Sequence, residues 1–378
     1  MESNSEPYNT IFYFLLSGEN PELAIFEFQS VFDVLRKDQF KKFAMNISRD
    51  KRIIELTLNI NTQELNTLKF IESFLNRVTQ VHVCFKRSLN VDFVRYGIKS
   101  LSDLYRQVNE SELYIQNPEK SFGIIIKRIG LPKGLLKDKS VALELSKYLG
   151  TRIQTIFPQK KVNLRNPDER FLGVISEQGF WFGVLIGSSL RHKVRQRTAH
   201  KRPFFHPSSM NPILQRTMIN LAALKKNDLM LDPFCGSGGG LMEAARMGIR
   251  SIGIEIDKKI LWGAFQNLKS FEYSKITSLI HGDALKICIS KGSISGVVTD
   301  PPYGTAASTK GMSLSVLIIR FFKEISPILL SNQRVVLAVP ATLEIEEQVS
   351  EILQASVYKF YQYVHRSLTR KILVFVKK

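Results

Sequence analysis

The residues at 300–303 combine groups that can bind a planar base carrying an amine. They follow an apolar segment, 294–298, that predicts a buried strand. Proline has no N–H group, so carbonyl oxygens in this turn can face a ligand that donates hydrogen bonds. A carboxylate adds a second acceptor and a tyrosine ring a flat stacking surface. Taken alone, an ordinary strand-to-loop turn is the alternative. We call these residues the acceptor motif: Asp300, Pro301, Pro302 and Tyr303.

A glycine-rich segment, 231–240, lies upstream and is called the glycine loop below. It follows a short apolar stretch and precedes a helical pattern at 241–247, the context in which such a loop binds a ligand. Glycines let the backbone approach that ligand and expose N–H groups at the helix start. Leu241 stands where a dinucleotide-binding loop has its third glycine. The candidate contacts are Asp232, Phe234, Cys235, Gly236, Ser237 and Gly238.

Acidic residues follow the next two predicted strands, 251–254 and 276–280. Glu255 lies 23 residues after Asp232, and an acid at about 20 residues takes the ribose hydroxyls in doubly wound folds. Asp257 is the second choice, with a helix N-cap as its alternative. Asp283, beside Ala284, can accept from an adenine amine. Open α/β sheets bind ligands at this edge.

These residues together resemble the class I S-adenosylmethionine-dependent methyltransferases. Segments 202–210 and 365–370 extend the resemblance to the THUMP-domain tRNA guanine-N2 methyltransferases, most of all the archaeal-type guanine-10 enzymes. The resemblance implies S-adenosylmethionine as cofactor, with contacts from the glycine loop, Glu255, Asp257, Asp283, Ala284 and Asp300. It also implies a catalytic role for the acceptor motif. Segment 205–210, with His206, is a further candidate for touching the cofactor.

Composition agrees with a polyanionic partner. The net charge is +19, and residues 188–378 hold 27 basic and 13 acidic residues, a net of +14. Such an excess points to nucleic acid. Three scattered cysteines argue against a zinc site or a disulfide framework. We expect no metal, no signal peptide, no membrane span and a cytoplasmic location.

The predicted fold class is α/β, with a Rossmann-like class I methyltransferase sheet after a ferredoxin-like plus THUMP region. The predicted domains are 1–187, a basic linker at 188–206, and 207–378. In the first, strands are expected at 11–16, 53–60, 80–85 and 122–129, a helix at 141–149 that closes at Gly150, and a hairpin around 178–179. Two final strands, the last antiparallel, are expected to complete the second sheet.

Candidate RNA contacts come from the THUMP-like region and from the linker, where six Lys or Arg fall within residues 191–202. A solvated charge run without a partner is the alternative for the linker. The RNA-contact candidates are Lys127, Arg128, Arg191, Lys193, Arg195, Arg197, Lys201 and Arg202.

The expected activity is methylation of a guanosine N2 amine in tRNA, at position 10. A guanosine at tRNA position 6, or one in rRNA, is the nearest alternative. A DNA amino methylase uses the same kind of acceptor pocket, but the THUMP-like half makes DNA an unexpected partner. A non-catalytic RNA-binding protein is the alternative from another class. The sequence leaves open whether one or two methyl groups are added, and whether a small activating subunit is needed.

Overall fold

The computed structural model describes residues 8–36, 40, 42–60, 64–130, 134–207, 209–303, 311–365 and 368–378. Arg366 and Ser367, within the family-like segment 365–370, and Ser208 lie outside these residues. Contacts divide the chain into two compact units. The first comprises Met1–Gly18, Asp38–Leu75 and Val81–Ser188; the second comprises Glu19–Lys37, Asn76–Gln80 and Ser189–Lys378. Within the described ranges, every helix is too short or too polar to cross a membrane.

The strands are β1 (Tyr8–Leu16), β2 (Phe43–Ile47), β3 (Ile53–Ile60), β4 (Val81–Asp92), β5 (Phe122–Arg128), β6 (Glu169–Ile175), β7 (Gly179–Ser188), β8 (Leu229–Asp232), β9 (Arg250–Glu255), β10 (Thr277–His281), β11 (Ile294–Thr299), β12 (Leu329–Pro340), β13 (Ala355–His365) and β14 (Leu368–Lys377). The α-helices are α1 (Pro21–Arg36), α2 (Glu64–Leu75), α3 (Phe93–Tyr96), α4 (Leu101–Glu110), α5 (Val141–Ile156), α6 (Arg191–Arg195), α7 (Pro212–Leu221), α8 (Gly239–Arg246), α9 (Lys258–Ser270), α10 (Leu314–Ile325) and α11 (Glu346–Leu353). Short 3₁₀ turns lie at Gly134–Lys137, Ala199–Lys201 and Tyr273–Lys275.

The first unit is built on a seven-stranded sheet in the order β2-β3-β1-β4-β7-β6-β5. Neighbouring strands run antiparallel, except that β5 and β6 are parallel. The predicted hairpin is confirmed, because β6 and β7 pair antiparallel with Ile175 opposite Phe180. Over the first five residues of β4 only His82 is partly exposed, and the consecutive side chains Val83, Cys84 and Phe85 are all buried, so this part of the strand is covered on both faces.

Helix α5 is longer than the sequence predicted. The prediction ended it at Gly150, but the helix continues to Ile156. Its apolar face carries on from Leu149 to Ile153, and both side chains are fully buried. A glycine inside a helix costs about 1 kcal/mol relative to alanine, which the continued burial offsets. The prediction was wrong because local propensity was weighed above the buried face.

The second unit contains a seven-stranded sheet in the order β10-β9-β8-β11-β12-β14-β13. Strands β10, β9, β8, β11 and β12 are parallel, and β14 runs antiparallel to both β12 and β13. This confirms the expected sheet with an antiparallel last strand. The strand order reverses between β8 and β11, which is the switch point where open α/β sheets hold ligands.

Helix α1 and residues 76–80 pack within the second unit. Glu27 of α1 is fully buried and accepts hydrogen bonds from the Gln80 N–H (2.7 Å) and from Asn220 Nδ2 (2.8 Å). A buried carboxylate is costly without such donors, so the network fixes this helix against α7. The predicted domain limits, 1–187, 188–206 and 207–378, therefore differ from the units that the contacts define.

Candidate active site

The glycine loop joins β8 to α8 through two residues in the left-handed region. Gly236 has φ +52° and Gly238 has φ +79°, where any residue with a Cβ is strained. The loop is held to the end of β9 by two bonds. Cys235 N donates to Ile254 O (3.0 Å) and Gly236 N donates to Glu255 Oε2 (3.1 Å). The glycine loop is therefore hydrogen-bonded to Glu255, the acid predicted to bind the ribose hydroxyls.

The glycine loop and the acceptor motif meet at adjacent strand ends. Thr299 Oγ1, at the end of β11, donates to Asp232 Oδ1 at the end of β8 (2.8 Å). The Asp232 carboxyl is almost completely buried. Burial raises its pKa to about 7, with Asp300 and Glu255 adding to the effect. The glycine loop and the first residue of the acceptor motif, Asp300, therefore face one cleft.

Two cavities open beside these motifs. The smaller, of about 110 Å³, is lined by the glycine loop, by residues before it and by the end of β11 with Asp300: Ser209, Met210, Gln215, Met218, Asp232, Phe234, Cys235, Gly236, Ser237, Gly239, Gly240, Val298, Thr299 and Asp300. The larger, of about 730 Å³, is lined by Thr198, Ala199, His200, Phe205, Pro207, Ser209, Met210, Asn211, Pro212, the whole acceptor motif, Val364, Leu368 and Arg370. Ser209, Met210 and Asp300 belong to both linings, so the cavities adjoin at the acceptor carboxylate.

Asp300 is held by two side chains. Its Oδ1 accepts from the Tyr303 hydroxyl (2.5 Å) and its Oδ2 from Arg370 Nη2 (3.3 Å). Arg370 Nε also donates to the Tyr303 hydroxyl oxygen (3.0 Å). Burial raises the pKa of Asp300, and the Arg370 cation opposes that rise. Burial, with Asp300 alongside, also raises the pKa of Tyr303, so this hydroxyl stays protonated.

The other predicted acids lie along the same sheet edge. Glu255 Oε1 accepts from Asp257 N (2.9 Å), which leaves further lone pairs on both carboxylate oxygens. Asp257 caps α9, accepting from Lys259 N (2.8 Å) and Ile260 N (3.0 Å), so the N-cap alternative is confirmed. Asp283 follows β10 and accepts from Leu285 N (3.0 Å).

Two other predicted cofactor contacts lie outside both linings. Ala284 is buried in the apolar core beneath the strand ends. The carbonyl oxygen of His206 accepts from Ser209 N (3.0 Å) and Ser209 Oγ (2.7 Å). The neighbours of His206, Phe205 and Pro207, line the larger cavity instead.

Asn267 ties three segments together and was not predicted. Its Nδ2 donates to Phe204 O (3.0 Å) and Ser237 O (2.9 Å), and its Oδ1 accepts from Phe204 N (2.9 Å). The Phe204 ring packs against Gly263, where a Cβ would collide with it. The segment before α7 is thereby fastened to α9 and to the glycine loop. A single asparagine within a predicted helix gives no indication in the sequence that it will make such long-range hydrogen bonds.

The linker arginines are not all free for a partner. Arg191 bonds Glu19 Oε1 (2.8 Å) and Thr79 O (3.0 Å), and Arg197 pairs with the buried Glu243 (2.9 Å). Arg202 is partly buried. The exposed cations of this segment are Lys193, Arg195 and Lys201. The predicted linker segment contains helix α6 and a 3₁₀ turn.

The two predicted RNA contacts of the first unit lie at the end of β5. Lys127 is exposed. Arg128 is partly exposed, and its Nη1 donates to Asp138 O (2.6 Å). Throughout the described residues, no group of His, Cys, Asp and Glu could hold a metal ion.

These features fit S-adenosylmethionine. The loop backbone leaves open space at Gly236, and the Asp232 and Asp300 carboxyls suit a cationic ligand. A volume of about 110 Å³ is below the roughly 300–1,000 Å³ of ligand pockets. This cavity alone is therefore too small for the whole cofactor. Together, fold and cleft define a class I S-adenosylmethionine-dependent methyltransferase.

Comparison with known proteins agrees. A family model described as an RMKL-like methyltransferase domain matches residues 199–372. A second model, described as a DNA methylase, matches residues 7–266 and stops before the acceptor motif. The solved structure of TrmN from Thermus thermophilus, at 16% identity and a TM-score of 0.53, covers 97% of this chain and 100% of its own. At that identity the likeness is one of fold.

Curated relatives identify the family within the class I methyltransferases to which this chain is similar in sequence. A tRNA (guanine(10)-N2)-dimethyltransferase of Methanothermobacter thermautotrophicus is 35% identical over 57% of this chain and 63% of its own length. One of Methanocaldococcus jannaschii is 26% identical over 96% of this chain and 99% of its own. A third, from Methanothermococcus thermolithotrophicus and named a "Probable tRNA (guanine(10)-N2)-dimethyltransferase", is 34% identical over 43% of this chain and 98% of its own. The chain belongs to the family of tRNA (guanine(10)-N2)-methyltransferases.

Proposed function

We propose that this chain methylates the N2 amine of guanosine 10 in tRNA, with S-adenosylmethionine as methyl donor. The names of its relatives support this substrate. The observation that carries the proposal is the position of Asp300, which lines both the glycine-loop cavity and the larger cavity beside it. A group bound at Asp300 is therefore adjacent to a ligand of the glycine loop.

The acceptor motif prepares the amine for attack. The lone pair of the guanine N2 amine is delocalised into the ring, so the amine is a poor nucleophile. Asp300 and the Pro301 carbonyl oxygen would accept its two N–H bonds, which draws the nitrogen toward a tetrahedral shape and frees the lone pair. When bound, S-adenosylmethionine supplies a methyl group on a sulfonium. Since that methyl group is already activated, positioning and electrostatics supply most of the rate.

The larger cavity has the size and lining for an extruded base. Its volume is about 730 Å³, and a base in a helical stem must leave the stack before its amine can react. The Tyr303 ring and the stacked rings of His200 and Phe205, with centroids 4.2 Å apart, lie in its wall. Aromatic faces of this kind hold unstacked bases in RNA-binding proteins.

RNA binding would involve both units. In the first unit we assign tRNA contact to the end of β5, at Lys127 and Arg128. In the second, the exposed cations of the linker are the best candidates, because within the described part of the chain their charges have no ion pair of the kind that holds Arg191 and Arg197. The net charge of +19 favours a polyanion over a small substrate.

Nucleoside mapping tests the substrate. The purified chain, S-adenosylmethionine and a tRNA transcript should give N2-methylated guanosine at position 10, and a transcript with adenosine there should give none. N2-methylated guanosine formed in the transcript with adenosine at position 10 would show that the methylated guanosine is at position 6 or elsewhere. Methylation of ribosomal RNA or duplex DNA in preference to tRNA would replace the proposal. A chain that binds tRNA but no cofactor would be an RNA-binding protein.

We also infer that a small protein subunit docks on the β10 edge of the second sheet. This edge strand has no further strand beside it among the described residues, and unpaired edges accept an added strand. Large apolar side chains on β10, directly before it and on neighbouring α9 are exposed: Ile280, Ile276, Trp262 and Phe265. A soluble surface seldom leaves such a patch uncovered.

A paired variant tests this docking. When the chain is purified from its own source, a small second protein should co-purify in equal amount. The complex of the two should methylate tRNA faster than the chain alone. Phe265→Glu should release the subunit and lose only the added activity. The exposed Gln266→Glu is the matched control and should retain both. Equal turnover with and without the second protein would disprove the inference.

A further inference from the structure

Asn211 presents a hydrogen-bond donor to the larger cavity. It is the N-cap of α7, and its Oδ1 accepts from Ile213 N (2.8 Å). Because a backbone N–H group can only donate, the atom that faces it must be the amide oxygen, which leaves the amide nitrogen on the other side. Nδ2 has no acceptor among the described residues, and Asn211 is exposed in the cavity lining. Its two hydrogens are therefore available to a ligand in that cavity.

The helix that follows Asn211 holds this donor in place. Asn211 O accepts from Gln215 N (3.0 Å), and Pro212 is the first residue of α7, where its fixed φ suits a helix start. Every residue of α7 except Gln215 is buried. Since the backbone and Oδ1 of Asn211 are both hydrogen-bonded, little side-chain freedom remains to be lost when Nδ2 binds a ligand, and such preorganisation strengthens binding.

The donor lies on the base side of the cleft. Ser209 and Met210 line both cavities, whereas Asn211 lines only the larger one. The acceptor motif follows the same course, because Asp300 lines both cavities and Pro301 only the larger. Two segments of the chain thus pass from the junction of the cavities into the wall of the larger one. Asn211 and Pro301 each come directly after a residue that lines both.

Other polar groups beside the acceptor carboxylate already have partners. The Tyr303 hydroxyl donates to Asp300, and Arg370 donates to both of them. Ser209 Oγ, at the junction of the cavities, donates to a backbone carbonyl oxygen (2.7 Å). A base whose amine is bound at Asp300 therefore needs donors further along the wall for its remaining acceptors.

We infer that Asn211 is a specificity-determining residue that donates from Nδ2 to guanine O6. This oxygen loses its pairing partner when the base leaves the stem, and an acceptor left unpaired in a pocket costs free energy. An amine at the same place on the purine would meet the Asn211 amide donor-to-donor. The inference rests on the proposed function and deepens it, because it names the group that tells guanine from another purine with a 2-amino group.

Base replacement in tRNA tests this contact. Transcripts carry guanine or 2,6-diaminopurine at the position that nucleoside mapping identifies. The second base keeps the 2-amine and replaces O6 by an amine. Single-turnover rates at saturating tRNA should favour guanine roughly 10- to 100-fold in the wild type, the range of one base-reading contact. Asn211→Asp keeps the oxygen that caps α7 and replaces the donor by an acceptor, so it should lower this ratio by roughly 10-fold or more.

Two further variants control for other effects of the substitution. Asn211→Ser keeps a capping oxygen on a shorter side chain, so it should lower the ratio less than Asn211→Asp does. Gln348→Glu makes the same chemical change at an exposed position of α11 that lines neither cavity, and it should keep the wild-type ratio. Each ratio is compared between variants, so an effect of the base on the stability of the stem cancels.

The outcomes separate the inference from the proposed function. Equal loss of rate with both bases in Asn211→Asp would show that Asn211 only caps α7, and an unchanged ratio would equally overturn the inference. Thr198 also lines the larger cavity. If Thr198→Val lowers the ratio and Asn211→Asp does not, the donor is the Thr198 hydroxyl and the inference is wrong. A wild-type chain that methylates neither transcript overturns the proposed function instead. If Asn211→Asp does not fold, Asn211→Ser decides by the same ratio.

Discussion

Arg370 Nη2 lies 3.3 Å from Asp300 Oδ2 and joins the start of β14 to the end of β11. The same guanidinium donates from Nε to the Tyr303 hydroxyl, which in turn donates to Asp300 Oδ1. Both carboxylate oxygens are therefore fixed before a base enters. Burial favours the protonated form of a carboxyl group. A neighbouring cation favours the ionised form, which accepts hydrogen bonds through both oxygens. In the proposed reaction, Arg370 would therefore act on the amine through Asp300, as a positioning residue.

Removing this cation should shift the pH dependence of methyl transfer. Burial raises the pKa of Asp300 and Arg370 opposes the rise, so Arg370→Met should raise that pKa further. The ionised form would then appear only at higher pH, and the acid limb of single-turnover rates should move up by roughly 1–3 units. Arg370→Lys should restore part of the shift. An unmoved acid limb in Arg370→Met would show that the contact is only structural.

Asp300 itself should be required for transfer and not for cofactor binding. Asp300→Asn keeps one oxygen acceptor without the charge and should lose on the order of 10²–10³-fold in rate, as when one preorganised polar group is removed. Asp300→Ala should abolish transfer. Single-turnover assays measure the rate, and calorimetry with S-adenosylhomocysteine should show binding retained in both. Near-wild-type turnover by Asp300→Ala would disprove the assignment.

Much of the second sheet could be predicted from the sequence. Strands β8 to β11 are short, mainly apolar runs, and each ends at, or directly before, an acid or a glycine, signals carried by neighbouring residues. Strand β2 was not predicted because it is only five residues long and its side chains are mostly exposed, although Phe43, Met45 and Ile47 do recur at every second position. Helix α4 depends on a capping box between Ser100 and Asp103, which resembles ordinary loop composition until its geometry is seen.

The site was predictable only where its residues adjoin strand ends. Asp232, Glu255, Asp283 and Asp300 all follow such strands, and parallel pairing brings them to one edge. Arg370 lies 70 residues from its partner, so no local pattern joins the two. The sequence predicts Arg191 and Arg197 as RNA contacts because both lie in a run of basic residues. Such a run does not show that the fold places carboxylates, Glu19 and Glu243, beside these two arginines.

Asp232 should make cofactor affinity depend on pH. Its pKa is about 7 in the free protein, above its ordinary value, so the folded state holds a proton between about pH 4 and 7. Folding stability from this group therefore falls as pH rises through that window. A cationic ligand prefers the ionised carboxyl, so affinity for S-adenosylmethionine should rise with pH through 7.

Calorimetry across pH 6–8 checks this, with neutral S-adenosylhomocysteine as the reference ligand. The ratio of the two affinities should climb for the wild type and flatten in Asp232→Asn, which keeps the oxygen that accepts from Thr299. A ratio that is flat in the wild type would place the cationic centre away from Asp232.

The linker cations should contribute unequally to tRNA binding. Each phosphate contact adds about 0.7–0.9 to the slope of log affinity against log salt. Lys193, Arg195 and Lys201 are exposed, so Lys193→Gln, Arg195→Gln and Lys201→Gln should each lower the slope by up to that amount. Arg197→Gln should instead lower the thermal midpoint, because it uncovers the buried Glu243, and should leave the slope nearly unchanged. Filter binding at several salt concentrations measures the slopes. A slope lowered as much by Arg197→Gln as by Arg195→Gln would mean that tRNA draws Arg197 out of its ion pair.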